Sequence, residues 1–458
     1  METRETTGSA QPLRMGSDAD WGRRLIAGLA IGLALATVYG LVSVFYLGQP
    51  VNQFLSWRSD DIPALPRAMY QPVKLIGVHY FGDFQEGMSW GYTLVKEHVS
   101  PYSSLVIYLP AAMLPFIALA FLPLKTSFII FTVATALGML VPIWLMTRAM
   151  RTTDRLLIVC LLGAMSVPFL STMDRGNLQG IVIAAVGFSL WAASTNRWRL
   201  MAGLLVLAIC LKGYPIVLLV IPLAYRRWRL VTVVTLAAVG ISMLLFALLP
   251  GGMFQNIGDY MEALKTYSGR GSSTHNYSFM GPLHHLLALR VGDTAAFDFL
   301  GSHPSVWILS SLVWLLMIWV VIVGRRVPQW CWGPLALASL QVLPPLSFAY
   351  SLSWAVLAGV WFIRGTLIPD PPDSLRLPRV VLAPWEESTL RILTMACLLV
   401  TLTPIAIMVT TGTTSTLLSS MLSPVLIFIT GVVAVALTVQ GQVRERYRAG
   451  VDSVGKSA

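Results

Sequence analysis

The chain has 458 residues, 56% of them hydrophobic and only 12% charged, with a formal net charge of +11. Soluble domains carry roughly 25% charged residues, so a mean hydropathy of +0.71 excludes an ordinary soluble enzyme and defines an all-α polytopic membrane protein. The positive charge lies in short arginine clusters between apolar runs, without the aromatic–basic interleaving of a nucleic-acid surface. It reads as positive-inside bias, and no nucleic-acid partner is expected.

Residues 1–24 form a basic cytoplasmic segment with Arg4, Arg14, Arg23 and Arg24. The apolar run that follows, from Leu25 to Leu47, lacks a cleavage site and reads as an uncleaved first span. Residues 48–103 form a first large outer loop, rich in aromatic residues, which predicts short helices lying on the membrane surface. Two apolar segments follow, Leu105–Pro123 and Thr126–Met146, then Arg148, Arg151 and Arg155. If both segments cross, that arginine cluster lies outside. If the first, broken by Pro110, Pro115 and Pro123, is re-entrant, the cluster lies inside, which suits the charge bias better. In that version Asp174-Arg175-Gly176-Asn177 and Lys212-Gly213-Tyr214-Pro215 are outer apices, and several intervening halves have only about 11–16 residues, against the ~20 needed to span a bilayer. Residues 250–304 form a second outer loop, and 365–390 a cytoplasmic one. A C-terminal transmembrane pair occupies 391–438, before a basic tail at 439–458.

Charges within apolar stretches are costly and mark function. Asp83 stands between aromatic residues in Tyr80-Phe81-Gly82-Asp83-Phe84-Gln85-Glu86. An apolar setting favours an acid's protonated form, which suits a base acting near neutral pH; the alternative is a solvated loop acid. Asp60, Asp61, Glu86 and Glu97 are competing acids in the same loop. Lys212 is flanked by Leu207–Leu211 and Pro215–Leu219, and a helix break at Gly213-Tyr214-Pro215 would present its amine to a pocket wall. Its ammonium suits a phosphate oxygen, or it snorkels to headgroups. Asp174-Arg175-Gly176-Asn177 is either a solvated turn with Asn177 as helix cap or a polar turn in which Asn177 and Gln179 bind hydroxyls. His275, His284 and His285 lack partners at metal-site spacing. Cys160, Cys210, Cys331 and Cys397 lie in apolar segments, so no metal, cofactor or disulfide framework is expected.

Ser171-Thr172-Met173-Asp174-Arg175-Gly176-Asn177 and Leu211-Lys212-Gly213-Tyr214-Pro215 resemble segments of the GT-C glycosyltransferases. Within these the chain is most similar to glycosyltransferase family 87, through Asp83-Phe84, Pro101-Tyr102, Tyr108-Leu109-Pro110, Gly176-Asn177, Lys212-Gly213-Tyr214-Pro215 and Asn276-Tyr277-Ser278, in that order. It departs from the family in Ser347-Phe348-Ala349-Tyr350-Ser351, which lacks a His-His pair. The resemblance implies a GT-C-like bundle of about ten to twelve helices with a catalytic module over 25–364. It implies inverting, metal-independent transfer of a sugar from a polyprenyl-phosphate donor to a glycolipid or cell-envelope glycan. Mannose is the first expectation and arabinofuranose the second. The site would face the extracytoplasmic side of the plasma membrane, with membrane lipids as further partners. Asp83 would be the base; Lys212, Arg175 and His98 would meet the donor phosphate; Asp174, Asn177, Gln179, Asn276 and Tyr350 would bind substrate. The competing classes are a lipid or glycolipid flippase and a non-catalytic envelope-assembly subunit. A flippase fits less well, because these charges gather at one membrane face and not at the midplane.

Overall fold

In the computed structural model the described residues are 16–45, 82–104, 106–269, 276–324, 327–345, 347, 349–369, 382–403, 408–411 and 414–457. Asp60, Asp61 and His275 lie outside them, and the side chains of Asp174 and Tyr350 likewise.

The chain is a bundle of helices, as expected for an all-α polytopic protein. In order they are α1 (Gly16–Phe45), α2 (Gly82–Tyr92), α3 (Leu114–Leu119), α4 (Leu124–Met146), α5 (Thr152–Ile158), α6 (Val167–Arg175), α7 (Gln179–Ser194), α8 (Trp198–Leu211) and α9 (Val220–Ala224). The second half comprises α10 (Trp228–Leu248), α11 (Gly252–Gly269), α12 (Met280–Val291), α13 (Asp293–Ser302), α14 (Pro304–Gly324), α15 (Gln329–Val342), α16 (Trp354–Arg364), α17 (Pro384–Leu402) and α18 (Leu418–Ser457). The sequence reading put no strand in the chain. A two-stranded antiparallel hairpin, Met408–Thr411 with Thr414–Leu417, nonetheless joins the last two helices. Its run of threonines is β-branched, which suits a pleated ribbon better than a helix.

Among the described residues, five stretches are long and apolar enough to cross a bilayer: Asp20–Val38, Leu124–Met146, Trp228–Leu248, Pro304–Ile322 and Ser420–Gly441. Their outer faces carry bare leucines such as Leu236, Leu244, Leu309 and Leu316, as lipid contact requires. Thr152–Ala164 and Val167–Met173 make one further span only as a pair bent by 56°. Other apolar helices are too short: Pro110–Leu119, Gln179–Ser194, Trp198–Leu211, Tyr214–Ala224 and Ser351–Arg364. Ten helical residues reach about 15 Å, half the hydrocarbon thickness, so the Pro110–Leu119 helix by itself is too short to cross. Residues 82–104, and the described residues of 250–304, which lie between spans, are themselves mostly helical.

The short helices are possible because protein, not lipid, surrounds them. Every residue of α15 is buried, as are Trp354–Ile363 of α16, and the two pack against each other at the centre of the bundle. A helix apolar on all sides belongs in such a core. Close approach relies on small residues: a Cβ on Gly333 would fall 2.4 Å from the Trp361 ring, and one on Gly187 would fall 2.7 Å from Pro142 of α4. Glu386 of α17, itself buried, pairs with Arg444 of α18 at 2.7 Å. That pairing locks the C-terminal helices together.

Candidate active site

The site grows from α2. Phe84 is fully buried among Phe116, Phe128 and Phe131, with ring centroids 5.2–6.3 Å away, and Met88, one turn later, is buried with it. Gly87 and Gly91 complete this face: a Cβ on either would meet Phe116 at 2.4 Å and 2.5 Å. With that face seated on α3, Asp83 and Glu86, three residues apart, share another face.

The second strut is the end of α6. Ser166 caps its start by accepting a hydrogen bond from the Phe169 N–H at 3.4 Å. Gly176 ends it in the left-handed region at φ 60°, a position glycine takes without strain. The reversal delivers Arg175 and Asn177 to Asp83. Arg175 Nε and Nη2 donate to the two Asp83 carboxylate oxygens at 2.9 Å and 2.8 Å, and Asn177 Nδ2 donates to Oδ2 at 2.5 Å. Asn177 Oδ1 accepts from the Gln179 N–H at 2.7 Å, so the same buried amide also starts α7.

The third strut is the end of α8. The helix stops at Lys212, whose backbone is extended at φ −145°, and restarts as a tight turn at Tyr214–Leu219. The break expected at Gly213-Tyr214-Pro215 is there. Lys212 Nζ donates to Gln179 Oε1 at 3.2 Å, Tyr214 OH donates to the same oxygen, and Nζ lies 4.9 Å from the Tyr108 ring centre. Tyr108 in turn packs on Trp90 of α2 at 5.3 Å. Gln179 is fully buried, and its Nε2 has no acceptor among the described residues, a cost that a bound oxygen would relieve.

Glu86 is half-buried, and its carboxyl is pushed up to about 7, first by burial and next by the Asp83 charge, with Arg175 pulling the other way. It enters the site by its spacing to Asp83, a signal legible in the sequence once the loop is known to be helical.

The remaining expected site residues are dispersed. His98 is exposed, in the left-handed conformation (φ 54°) that closes Thr93–Glu97, and no hydrogen bond joins it to Asp83 among the described residues. Asn276 is buried and holds the proline turn: its Nδ2 donates to the Pro345 carbonyl at 2.9 Å, and its Oδ1 accepts from the Ser278 and Ser347 N–H groups at 2.9 Å. That turn leads into Ala349–Ser353, the segment bearing Tyr350, which packs against α6. A contact not read from sequence ties the two large segments together. Ser100 Oγ donates to Asn256 Oδ1 at 2.5 Å, while Asn256 Nδ2 donates to the Gly252 carbonyl at 2.8 Å.

A separate open cavity of about 500 Å³ is lined by Asn196, Arg197, Trp198, Arg199, Leu200 and Arg227. It lies at the start of α8, some 14 residues, or about 21 Å of helix, from Lys212. It has the makeup of a headgroup-facing rim.

Short helices ending on an acid, two cations and two amides define a polytopic membrane protein with a polar site where its broken helices converge. The sequence model of glycosyltransferase family 87 matches residues 107–344, more than half of the chain, and the chain belongs to that family. Arg175, Asn177, Gln179, Lys212 and Asn276 fall within the match; Asp83, Glu86 and His98 precede it. A curated relative in Mycolicibacterium smegmatis, a polyprenol-phosphate-mannose-dependent α-(1-2)-phosphatidylinositol pentamannoside mannosyltransferase, is 28% identical over 234 residues, covering 50% of this chain and 52% of its own. The chain thus spans about half the length of that relative. No solved structure matches it significantly.

Proposed function

We propose that the protein is a membrane glycosyltransferase that moves a sugar, mannose first among the candidates, from a polyprenyl-phosphate donor to a glycolipid or cell-envelope glycan, on the extracytoplasmic face of the plasma membrane. The observation that carries this reading is the cluster of Asp83, Arg175, Asn177, Gln179 and Lys212, gathered from three separate segments in a chain of family 87. The name of the mycobacterial relative supports the polyprenyl-phosphate donor and a lipid-linked acceptor.

In this reading the acceptor oxygen attacks the anomeric carbon from the face opposite the phosphate, so configuration inverts. The bond from that carbon to the phosphate oxygen breaks, and its electron pair leaves as polyprenyl phosphate. The acceptor's proton passes to the Asp83 carboxylate of α2, the base in this reading. A phosphate leaving group gains charge as it departs, and it needs cations more than a proton. Lys212 and Arg175 supply them as charge-assisted donors, and the reading calls for no metal. His98 is assigned to the same phosphate as it approaches; Asp174, Asn177, Gln179, Asn276 and Tyr350 are assigned to the sugar and acceptor hydroxyls or to the turns that hold them.

The test is incubation of the purified full-length protein with synthetic polyprenyl-phosphate mannose, arabinofuranose and glucose, each with octyl α-mannoside as acceptor. Transfer from one donor, with release of polyprenyl phosphate, is expected. Failure of all three, together with protein-dependent movement of the lipids across a vesicle bilayer, would replace the enzyme with a flippase.

A further inference from the structure

We infer that the cavity at Arg197, Arg199 and Arg227 is a binding site for an anionic phospholipid, whose phosphodiester sits among the three guanidinium groups while an acyl chain runs along the outer side of α8. The site is separate from the transfer reaction proposed above and does not rest on it.

Charge balance is the first ground. From Arg175 to Gly258 the chain has seven basic residues and no acidic one. No carboxylate pairs with Arg197, Arg199 or Arg227 among the described residues. The three line an open cavity of about 500 Å³ together with Asn196, Trp198 and Leu200. Two of them lie near aromatic faces: the Arg227 guanidinium carbon is 4.9 Å from the Trp198 ring centre, and that of Arg197 is 5.6 Å from the Trp191 ring centre. A stacked guanidinium keeps its N–H edge for phosphate oxygens. Arg197 and Arg227 also precede α8 and α10 as N-caps, and neither helix start has a side-chain cap. A cation there adds to the positive end of the helix dipole instead of offsetting it. Like charges thus converge on the cavity, and an anion between them relieves their repulsion.

The local fold explains the convergence. The sequence carries an Arg-Trp-Arg run twice, at Arg197-Trp198-Arg199 and Arg227-Trp228-Arg229. Each run follows a residue in the left-handed region, Asn196 at φ 60° and Arg226 at φ 54°. Each turn closes by the same pair of bonds. The Arg197 N–H donates to the Ala192 carbonyl at 2.8 Å and the Asn196 N–H to that of Ala193 at 3.0 Å; the Arg227 and Arg226 N–H groups donate to the Pro222 and Leu223 carbonyls at 2.9 Å. The two corners meet where Trp198 packs on Tyr225, with ring centres 5.1 Å apart.

Position in the membrane selects the anion. α10 is long and apolar enough to cross a bilayer and begins at Trp228, which is 58% exposed, as suits an aromatic residue at headgroup level. Leu200 and Leu207, seven residues apart on one side of α8, are also exposed. A phosphate in the cavity with a chain along that stripe belongs to a lipid. The site has a structural consequence as well. Trp198–Leu211 and Tyr214–Ala224 double back on each other, since Tyr225 returns to Trp198, and Lys212 stands at their apex. A phosphate bridging Arg197 and Arg227 closes the base of the hairpin that presents Lys212 to Gln179.

The experiment uses the full-length protein in a neutral detergent, with dioleoyl phosphatidylglycerol as the anionic probe, dioleoyl phosphatidylcholine as the neutral one, and inorganic phosphate. Native mass spectrometry reads lipid affinity, and thermal unfolding reads stability. Phosphatidylglycerol should bind wild type more tightly than phosphatidylcholine at a saturable site. Arg197→Gln/Arg227→Gln should lose about 30-fold of that affinity, about fivefold for each arginine, with phosphatidylcholine binding unchanged. Arg151→Gln, which removes an exposed arginine of another cluster, should change neither. Phosphatidylglycerol with a diazirine on its acyl chain, cross-linked to wild type, should label the segment bearing Leu200 and Leu207, a readout that needs no variant to fold. Equal binding of the two lipids, a folded double variant that binds phosphatidylglycerol as wild type does, or labelling confined to other segments would each overturn the assignment. If inorganic phosphate raises the wild-type Tm as much as phosphatidylglycerol and displaces it, the cavity takes a soluble phosphate and the lipid is ruled out. None of these readouts uses sugar transfer, so a failure here leaves the proposed function standing, and the reverse holds too.

Discussion

Replacing Gly91 by alanine tests whether the packing of α2 on α3 sets the site. A Cβ there would lie 2.5 Å from the Phe116 carbonyl oxygen, 2.8 Å from its carbon and 3.2 Å from the Ile117 nitrogen. These are backbone atoms, which cannot rotate aside, and the shortest contact is about 1 Å inside an ordinary van der Waals distance. Since α2 must then retreat by about that much, the overpacking should cost about 1–3 kcal/mol. Asp83 lies eight residues earlier, about 12 Å along the axis, so a tilt or a shift carries it away from Arg175. The fork at 2.8–2.9 Å would open beyond hydrogen-bonding range. A 1 Å misplacement of reacting groups can cost about 10²-fold in rate, and that is the expected loss of transfer, with a lowered Tm. The control is Gly203→Ala in α8, where a Cβ would meet nothing within 4 Å. There alanine should leave transfer unchanged and add about 0.5–1 kcal/mol by its better helix propensity. The assay is sugar transfer alongside thermal unfolding in the same detergent. Gly91→Ala with wild-type transfer and Tm would refute the claim that this contact sets the site.

Lys212→Met removes the amine but keeps the chain's bulk, so donor affinity should fall by about 1.5–3 kcal/mol, roughly 10–150-fold, in a binding assay with polyprenyl-phosphate mannose. Unchanged affinity would leave Lys212 a headgroup contact. Asn276→Ala strips three hydrogen bonds from the turn at Pro345 and Ser347, and buried backbone groups left unpaired should lower stability by about 1–3 kcal/mol, read as a drop in Tm; an unchanged Tm would mean the turn holds itself. Glu86 also has a signature in stability. Its folded value of about 7 lies above the ordinary 4.5, so the folded state holds an extra proton in that window and stability drops as pH rises through it, levelling above about 7. Glu86→Gln cannot titrate, so its Tm relative to wild type should climb between pH 4.5 and 7.5; a constant difference would mean that Glu86 titrates normally.

The span at Thr126–Met146 was legible because an apolar run of bilayer length has one reading, and the Leu124–Met146 helix matches it closely. The break after Lys212 was legible too, since glycine followed by Tyr-Pro cannot continue a helix. The Asp83–Arg175 fork was not, because it joins residues 92 positions apart through the packing of α2 on α3 and α6, and no local pattern encodes that. For the same reason the sequence suggested Asn276 as a substrate contact, whereas its buried amide is engaged with the Pro345 turn 69 positions away. Glu86 lies between. Its spacing from Asp83 was visible, but that it forms no hydrogen bond or ion pair among the described residues emerges only once Arg175 is seen to favour Asp83. The hairpin at Met408–Leu417 escaped because its flanking apolar runs dominate any reading of that stretch.

The most direct test of donor placement is a structure of the full-length protein in lipid nanodiscs with a non-transferable polyprenyl phosphonate analogue of the mannose donor. The expected result is a phosphonate with oxygens about 3 Å from Lys212 Nζ and the Arg175 guanidinium, and the sugar facing Asp83 and Glu86. Analogue seated instead in the cavity at Arg197, Arg199 and Arg227, with the Asp83 cluster unchanged and unoccupied, would contradict it.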